Sequence, residues 1–182
     1  MMVCTAAALA RFCSVDLKTI HNWAARGALP SHRTAGRHLR FHRLDVIAFL
    51  RSYDHAVPAA LTATCPTVAI ASADPQLAVA ARKALGARAT VLGYEDAFEA
   101  LVDLGRAEPE ALALDVALLG EAATRCIGRL TRYPATRHVR LIAMAETDAR
   151  ASELLAAGAD TFVAGFDATA LVAALESVLV VA

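Results

Sequence analysis

The sequence predicts two domains of different class, a small mainly helical one carrying a β-hairpin and a larger α/β one with a parallel sheet. Three observations predict it. Up to residue 55, short helical stripes flank the hairpin-like stretch SHRTAGRHLRF. From residue 67 on, five apolar strand-like segments alternate with helical ones. Between them SYDHAVPAALTATCP, residues 52–66, has two prolines, many small residues and no periodicity. The expected boundaries are therefore 1–55, a linker at 56–66, and 67–182.

Composition allows both cores. Apolar residues make up 57% of the 182, much of it alanine, which argues against wholesale disorder. No apolar run reaches the ~18 residues of a membrane span. The opening MMVCTAAALARFC lacks the basic region and long apolar stretch of a secretory signal. Cys4, Cys13, Cys65 and Cys126 are scattered and form no CxxC pair. They read as reduced, mostly buried thiols of a cytoplasmic protein rather than a metal or disulfide framework.

The formal net charge is zero but unevenly placed. The first 57 residues hold eight Lys/Arg against three Asp/Glu, a net +5, plus five of the six histidines. The remainder is −5. A basic front and an acidic rear point to an anion-binding module joined to a second module with a different partner.

In the front half, Thr5 is a plausible N-cap for a helix through Phe12, with Ala8, Leu9 and Phe12 facing inward. Cys13-Ser14-Val15 turns the chain. Asp16 can cap LKTIHNWAAR, in which Ile20 and Trp23 share one face. Gly27 supplies the C′ residue and Pro30 keeps the helix from resuming. Lys18, Thr19, Asn22 and Arg26 fall off the buried stripe, with His21 nearer its edge. In the hairpin, Ala35-Gly36 is the expected tip, the glycine supplying a positive φ. Leu39 and Phe41 alternate with His38 and Arg40, giving one packed side and one basic side. LDVIAFLRSY closes the domain as a helix burying Val46, Ile47, Phe49 and Leu50. Two helices joined by a turn and followed by a ribbon have the form of a recognition helix and a wing. Trp23 is expected in the core rather than stacked on a base. His32, His38 and His42 lack ligand-like spacing, so no metal is expected.

"SVDLKTIHNWAARGALP", "RTAGRHLRF" and "RLDVIAFL", in that order, resemble the MerR-like, excisionase-type winged helix-turn-helix over residues 5–51. The resemblance implies that the second helix enters the major groove and the wing tracks the backbone. By position it nominates Lys18, Thr19, His21, Asn22 and Arg26 on the helix, and Arg33, Arg37, His38 and Arg40 on the wing. The expected partner is double-stranded DNA rather than RNA, because a helix fits the B-form major groove and not the narrow A-form one.

In the rear half TVAIASAD, ATVLGY, ALALD, VRLIAMA and TFVA read as strands. LAVAARKALG, EDAFEALVDL, TRCIGRLTRY, DARASELLAAG and DATALVAALESVL read as helices. Apolar strands without alternation fit a parallel sheet buried on both faces. Gly86, Gly93 and Gly158 are isolated and read as turn or cap residues. "EALALD", "ATRHVRLIAMAE" and "LLAAGADTFVAGF" resemble a response-regulator receiver domain, a flavodoxin-like (βα)5 fold, over essentially residues 67–180. The resemblance places the phosphoacceptor at Asp115. Its supporting chemistry is mostly absent. The acidic pair after the first strand falls on Ser72 and Ala73, leaving only Asp74 nearby. The hydroxyl position falls on Ala145 and the lysine position on Gly165. Asp115 and Asp74 thus read as a degenerate site in a pseudo-receiver, because phosphoryl transfer needs preorganised charge.

In the last helix Leu171, Val172, Leu175, Val178 and Leu179 form a broad apolar stripe that Val180 and Val181 extend. It is expected to form a homodimer interface together with the fourth helix of that domain. The whole reads as a bacterial-type, cytoplasmic and nucleoid-associated transcriptional regulator that needs no cofactor and is not an enzyme. A DNA-bending architectural or recombination factor, a protein–protein adaptor built on the pseudo-receiver, and a phosphorylation-driven regulator are the alternatives.

Overall fold

A computed structural model describes residues 3–62 and 65–179. The chain divides into two compact units, Met1–Thr64 and Cys65–Ala182.

In the first unit, strand β1 (Val3–Thr5) leads into helix α1 (Ala6–Phe12), then α2 (Leu17–Ala25), β2 (His32–Arg33), β3 (Leu39–His42), α3 (Arg43–Ser52) and α4 (Ala59–Thr62). Local chemistry explains both helix starts. The Ala8 N–H donates to Thr5 Oγ1 (3.0 Å) and the Thr19 N–H donates to Asp16 Oδ1 (2.7 Å), each filling one orphan donor of a first turn. Leu9, Ile20, Leu29, Phe41, Ile47 and Leu50 are wholly buried and form the centre. Trp23 is half-buried, its ring 4.9 Å from Phe49 and 6.3 Å from Tyr53, so it docks α2 on α3.

Two elements of this unit differ from expectation. Strand β1 adds a third strand, pairing antiparallel with β3 through Cys4 opposite Phe41, in the order β1-β3-β2. Three residues are too few to show a two-residue period, and only the partner strand defines them. In addition, α4 lies within the stretch read as linker. Its Leu61 is fully buried, and the Leu61 carbonyl accepts a hydrogen bond from the buried Arg43 guanidinium (2.8 Å).

The second unit runs β4 (Thr67–Ala71), α5 (Pro75–Leu85), β5 (Thr90–Tyr94), α6 (Ala97–Ala107), β6 (Ala111–Asp115), α7 (Ala123–Leu130), β7 (Arg140–Ala145), α8 (Ala151–Ala157), β8 (Thr161–Ala164) and α9 (Ala168–Leu179). All the pairings are parallel and the order is β5-β4-β6-β7-β8, the flavodoxin-like arrangement. Alternate strand residues feed two cores. Val68, Ile70, Ile142 and Met144 pack beneath α5 and α9, while Leu112, Leu114 and Leu141 pack beneath α6, α7 and α8.

Gly93 is neither a turn nor a cap. It lies inside β5, where a Cβ would come within 2.8 Å of the Ala78 Cβ, so glycine permits α5 to close on the sheet. Gly86 and Gly158 do cap helices, at φ +54° and +117°.

The stripe on α9 is also corrected. Leu171, Leu175 and Leu179 are fully buried in this unit's own core, and Val172 and Val178 are half-buried against it. A helix covering both a sheet face and its neighbour α5 needs a wide apolar face. The three leucines are therefore unavailable to a second copy. Val180 and Val181 lie outside the described residues.

Candidate nucleic-acid interface

The front unit presents its polar helix face intact. Lys18, His21, Asn22 and Arg26 of α2 and its cap are exposed and Thr19 is half-buried. Thr19, Asn22 and Arg26 follow the i, i+3, i+7 rule that puts them on one side, away from the buried Ile20. Asp16 sets where this helix begins. Its carboxyl is held below the usual range, first by the Thr19 backbone N–H that it accepts.

On the wing, Arg33, Arg37 and His38 are exposed, Arg40 is half-buried, and Leu39 and Phe41 point inward. The turn differs from expectation. The left-handed residue is Arg37, at φ +61°, and not Gly36. The Arg37 N–H donates to the Thr34 carbonyl (2.7 Å) and the Thr34 N–H donates to the His38 carbonyl (3.0 Å). This is a three-residue loop with its third residue in the left-handed region. A Cβ at 36 would sit 3.2 Å from the exposed His38 ring, so the ring would have to shift by a few tenths of an ångström. The Arg33 guanidinium donates to the Arg37 carbonyl (2.8 Å) and that of Arg40 to the Leu39 carbonyl (3.0 Å). Both arginines are thereby oriented while keeping the charge and free N–H groups that a phosphate takes.

Arg43 is the cation whose position the sequence reading missed. It is 2% exposed and serves the interior. An arginine next to an apolar run gave no signal that it would be buried.

In the rear unit the strand order brings Ser72, Asp115, Ala145 and Gly165 to the same end of the sheet. Ser72 follows Ala71 of β4, whose register partner Leu114 precedes Asp115 on β6; Ala145 ends β7 and Gly165 follows β8. Asp115 is 4% exposed and its Oδ1 accepts from the Ala117 N–H (2.9 Å). Asp74 caps α5, its Oδ1 accepting from the Gln76 N–H (2.9 Å), and its own N–H donates to Ser72 Oγ (3.1 Å). The Gly165 N–H donates to the Ala145 carbonyl (2.9 Å), continuing the pairing of β7 with β8. Among the described residues no three His, Cys, Asp or Glu converge as a metal site. Two carboxylates, each already capping a turn, do not fit the oxygen-rich donor set of a divalent cation. Among the described residues no helix is long and apolar enough to cross a membrane.

Comparison with known proteins agrees with both units. The family model described as "Helix-turn-helix domain" matches residues 3–54. No curated protein matches the chain. Among solved structures, a response regulator from Thermotoga maritima is 18% identical with a TM-score of 0.56, covering 64% of this chain and 99% of its own. The signal receiver domain of a DNA-binding response regulator protein (merR) from Colwellia psychrerythraea 34H is 24% identical with a TM-score of 0.53, covering 61% and 95%. A candidate response regulator from Chloroflexus aurantiacus J-10-fl is 24% identical with a TM-score of 0.56, covering 64% and 99%. The chain thus carries a helix-turn-helix domain at its front and a receiver-like, flavodoxin-type fold behind it.

Proposed function

We propose that the protein is a sequence-specific, double-stranded DNA-binding transcriptional regulator of the MerR-like, excisionase-type class. Its pseudo-receiver unit pairs two copies or takes a signal without being phosphorylated. One observation carries the reading: a helix face of Lys18, Thr19, Asn22 and Arg26, with His21 at its edge, and the oriented arginines of the wing share one small unit of net positive charge. Helix side chains read base edges and wing cations hold phosphates. Independence from phosphorylation is supported by Ser72, Ala73, Ala145 and Gly165 at the supporting positions and by the two self-capped aspartates.

Binding to DNA at graded salt tests this. Arg37→Ala should flatten the dependence of log affinity on log salt by about one unit. Asn22→Ala should leave the slope and relax base preference, costing about 1–3 kcal/mol at its base pair. Protection of a few promoters in genome-wide binding supports regulation. Uniform coating would favour an architectural role, and no protection would favour an adaptor. A small phosphodonor with Mg²⁺ should leave both mass and DNA affinity unchanged; an Asp115-dependent gain of one phosphoryl group refutes independence.

A further inference from the structure

The stretch 122–145 holds Arg125, Arg129, Arg132, Arg137 and Arg140 and no acidic residue, inside a half of the chain whose net charge is −5. Arg125 and Arg129 lie one turn apart on α7, and Arg132 sits in the turn that closes it, where its N–H donates to the Arg129 carbonyl (3.2 Å). All three are exposed. None makes an ion pair or a side-chain hydrogen bond among the described residues, unlike Arg106, Arg140 and Arg150, which pair with carboxylates. They line a groove of about 650 Å³ with the exposed Tyr133 and Ala157 of α8. A second cavity of about 240 Å³ adjoins it, walled by Leu101, Cys126 and Leu130. Arg129 and Tyr133 belong to both.

We propose that this paired groove on α7 binds a nucleotide, its phosphates among Arg125, Arg129 and Arg132 and its base against Tyr133 at the mouth of the apolar cavity. Each part has a physical reason. Guanidinium groups match phosphate oxygens in a planar fork. An exposed phenol ring offers a face for stacking, and the apolar wall takes the base edge out of water. The size is that of a small-molecule site. Duplex DNA fits less well. These cations flank a concavity rather than a protruding element, and the acidic balance of the surrounding unit opposes an extended polyanion. Arginines near a helix C-terminus also favour the helix dipole, but that role gives no reason for the adjoining cavity or the exposed tyrosine.

Calorimetric titration of the full chain with AMP, ATP, GTP and cyclic di-GMP, and with tripolyphosphate at equal ionic strength, tests the assignment. At least one nucleotide should bind with micromolar Kd. Arg129→Ala should weaken it tenfold or more without lowering the melting temperature. Tyr133→Ala should weaken the nucleotide and leave tripolyphosphate unchanged, while Lys83→Ala, at an exposed position of α5 away from the groove, should alter neither. Should Arg129→Ala not fold, Arg125→Gln replaces it with the same expectation. The proposal is overturned if no nucleotide binds, if binding survives both Arg129→Ala and Tyr133→Ala, or if tripolyphosphate binds as tightly as the nucleotide. It is equally overturned if Arg129→Ala only flattens the salt slope for DNA, since the groove would then hold DNA phosphates.

Discussion

Of the eight Lys and Arg side chains in the first 57 residues, Arg43 is the one lost to the surface; the other seven are exposed or half-buried. A charge count therefore overstates the cationic surface of that unit by one. The cysteines divide in the same way. Cys4 and Cys13 are buried, Cys126 is half-buried and Cys65 is exposed, and burial pushes the Cys4, Cys13 and Cys126 thiols up. Thiolate and access together set reactivity. Limiting iodoacetamide at pH 8 should therefore label Cys65 first, Cys126 more slowly, and Cys4 and Cys13 only on unfolding. Peptide mapping by mass spectrometry reads the order, and early labelling of Cys4 would contradict the packing of β1 on β3.

At the scale of elements, two devices hold the parts that matter. Asp16 begins the polar helix α2, and its lowered pKa fixes the sign of its pH dependence. A depressed carboxyl contributes stability above its unfolded pKa and loses it as pH falls through the folded value. The first turn of α2 should hence fray in acid below about pH 4, the ordinary aspartate range. The Thr19 amide shift in NMR should follow that titration, and Asp16→Asn should abolish the pH dependence while keeping much of the cap. In the rear unit, Gly93 lets α5 approach β5. Gly93→Ala should destabilise by about 1–3 kcal/mol through overpacking. Adding Ala78→Gly should recover part of this by removing the opposing methyl, less about 1 kcal/mol for glycine inside a helix. Urea denaturation of the single and double variants measures both.

At the scale of the whole molecule, the two units differ in charge and in core, and the number of copies sets how the front unit meets DNA. A single winged module has a small interface, and a pair would set a fixed half-site spacing on DNA. Light scattering of the full chain at micromolar concentration should report a dimer. Val172→Glu, at a half-buried position of α9, should dissociate it if that helix edge is the contact, whereas Leu175→Glu should unfold the rear unit because Leu175 is core. A monomer in the wild-type chain would leave one module per DNA site.

What the sequence by itself determined lies in periodicity and punctuation. Thr5 and Asp16 marked helix starts, Leu39 and Phe41 marked the inward side of the wing, and the apolar strands from Thr67 to Ala164 marked a parallel sheet. Each is a local pattern set by backbone geometry. Tertiary structure alone decided the rest. Strand β1 exists only because β3 is there to pair with it. Arg43 is buried because the Leu61 carbonyl meets it in the interior. Gly93 answers to Ala78 on another element, and Arg37 takes the left-handed turn position in place of Gly36. The leucines of α9, read as an interface stripe, cover the sheet instead. Apolar periodicity tells that a face is buried, but only the packed fold tells what buries it.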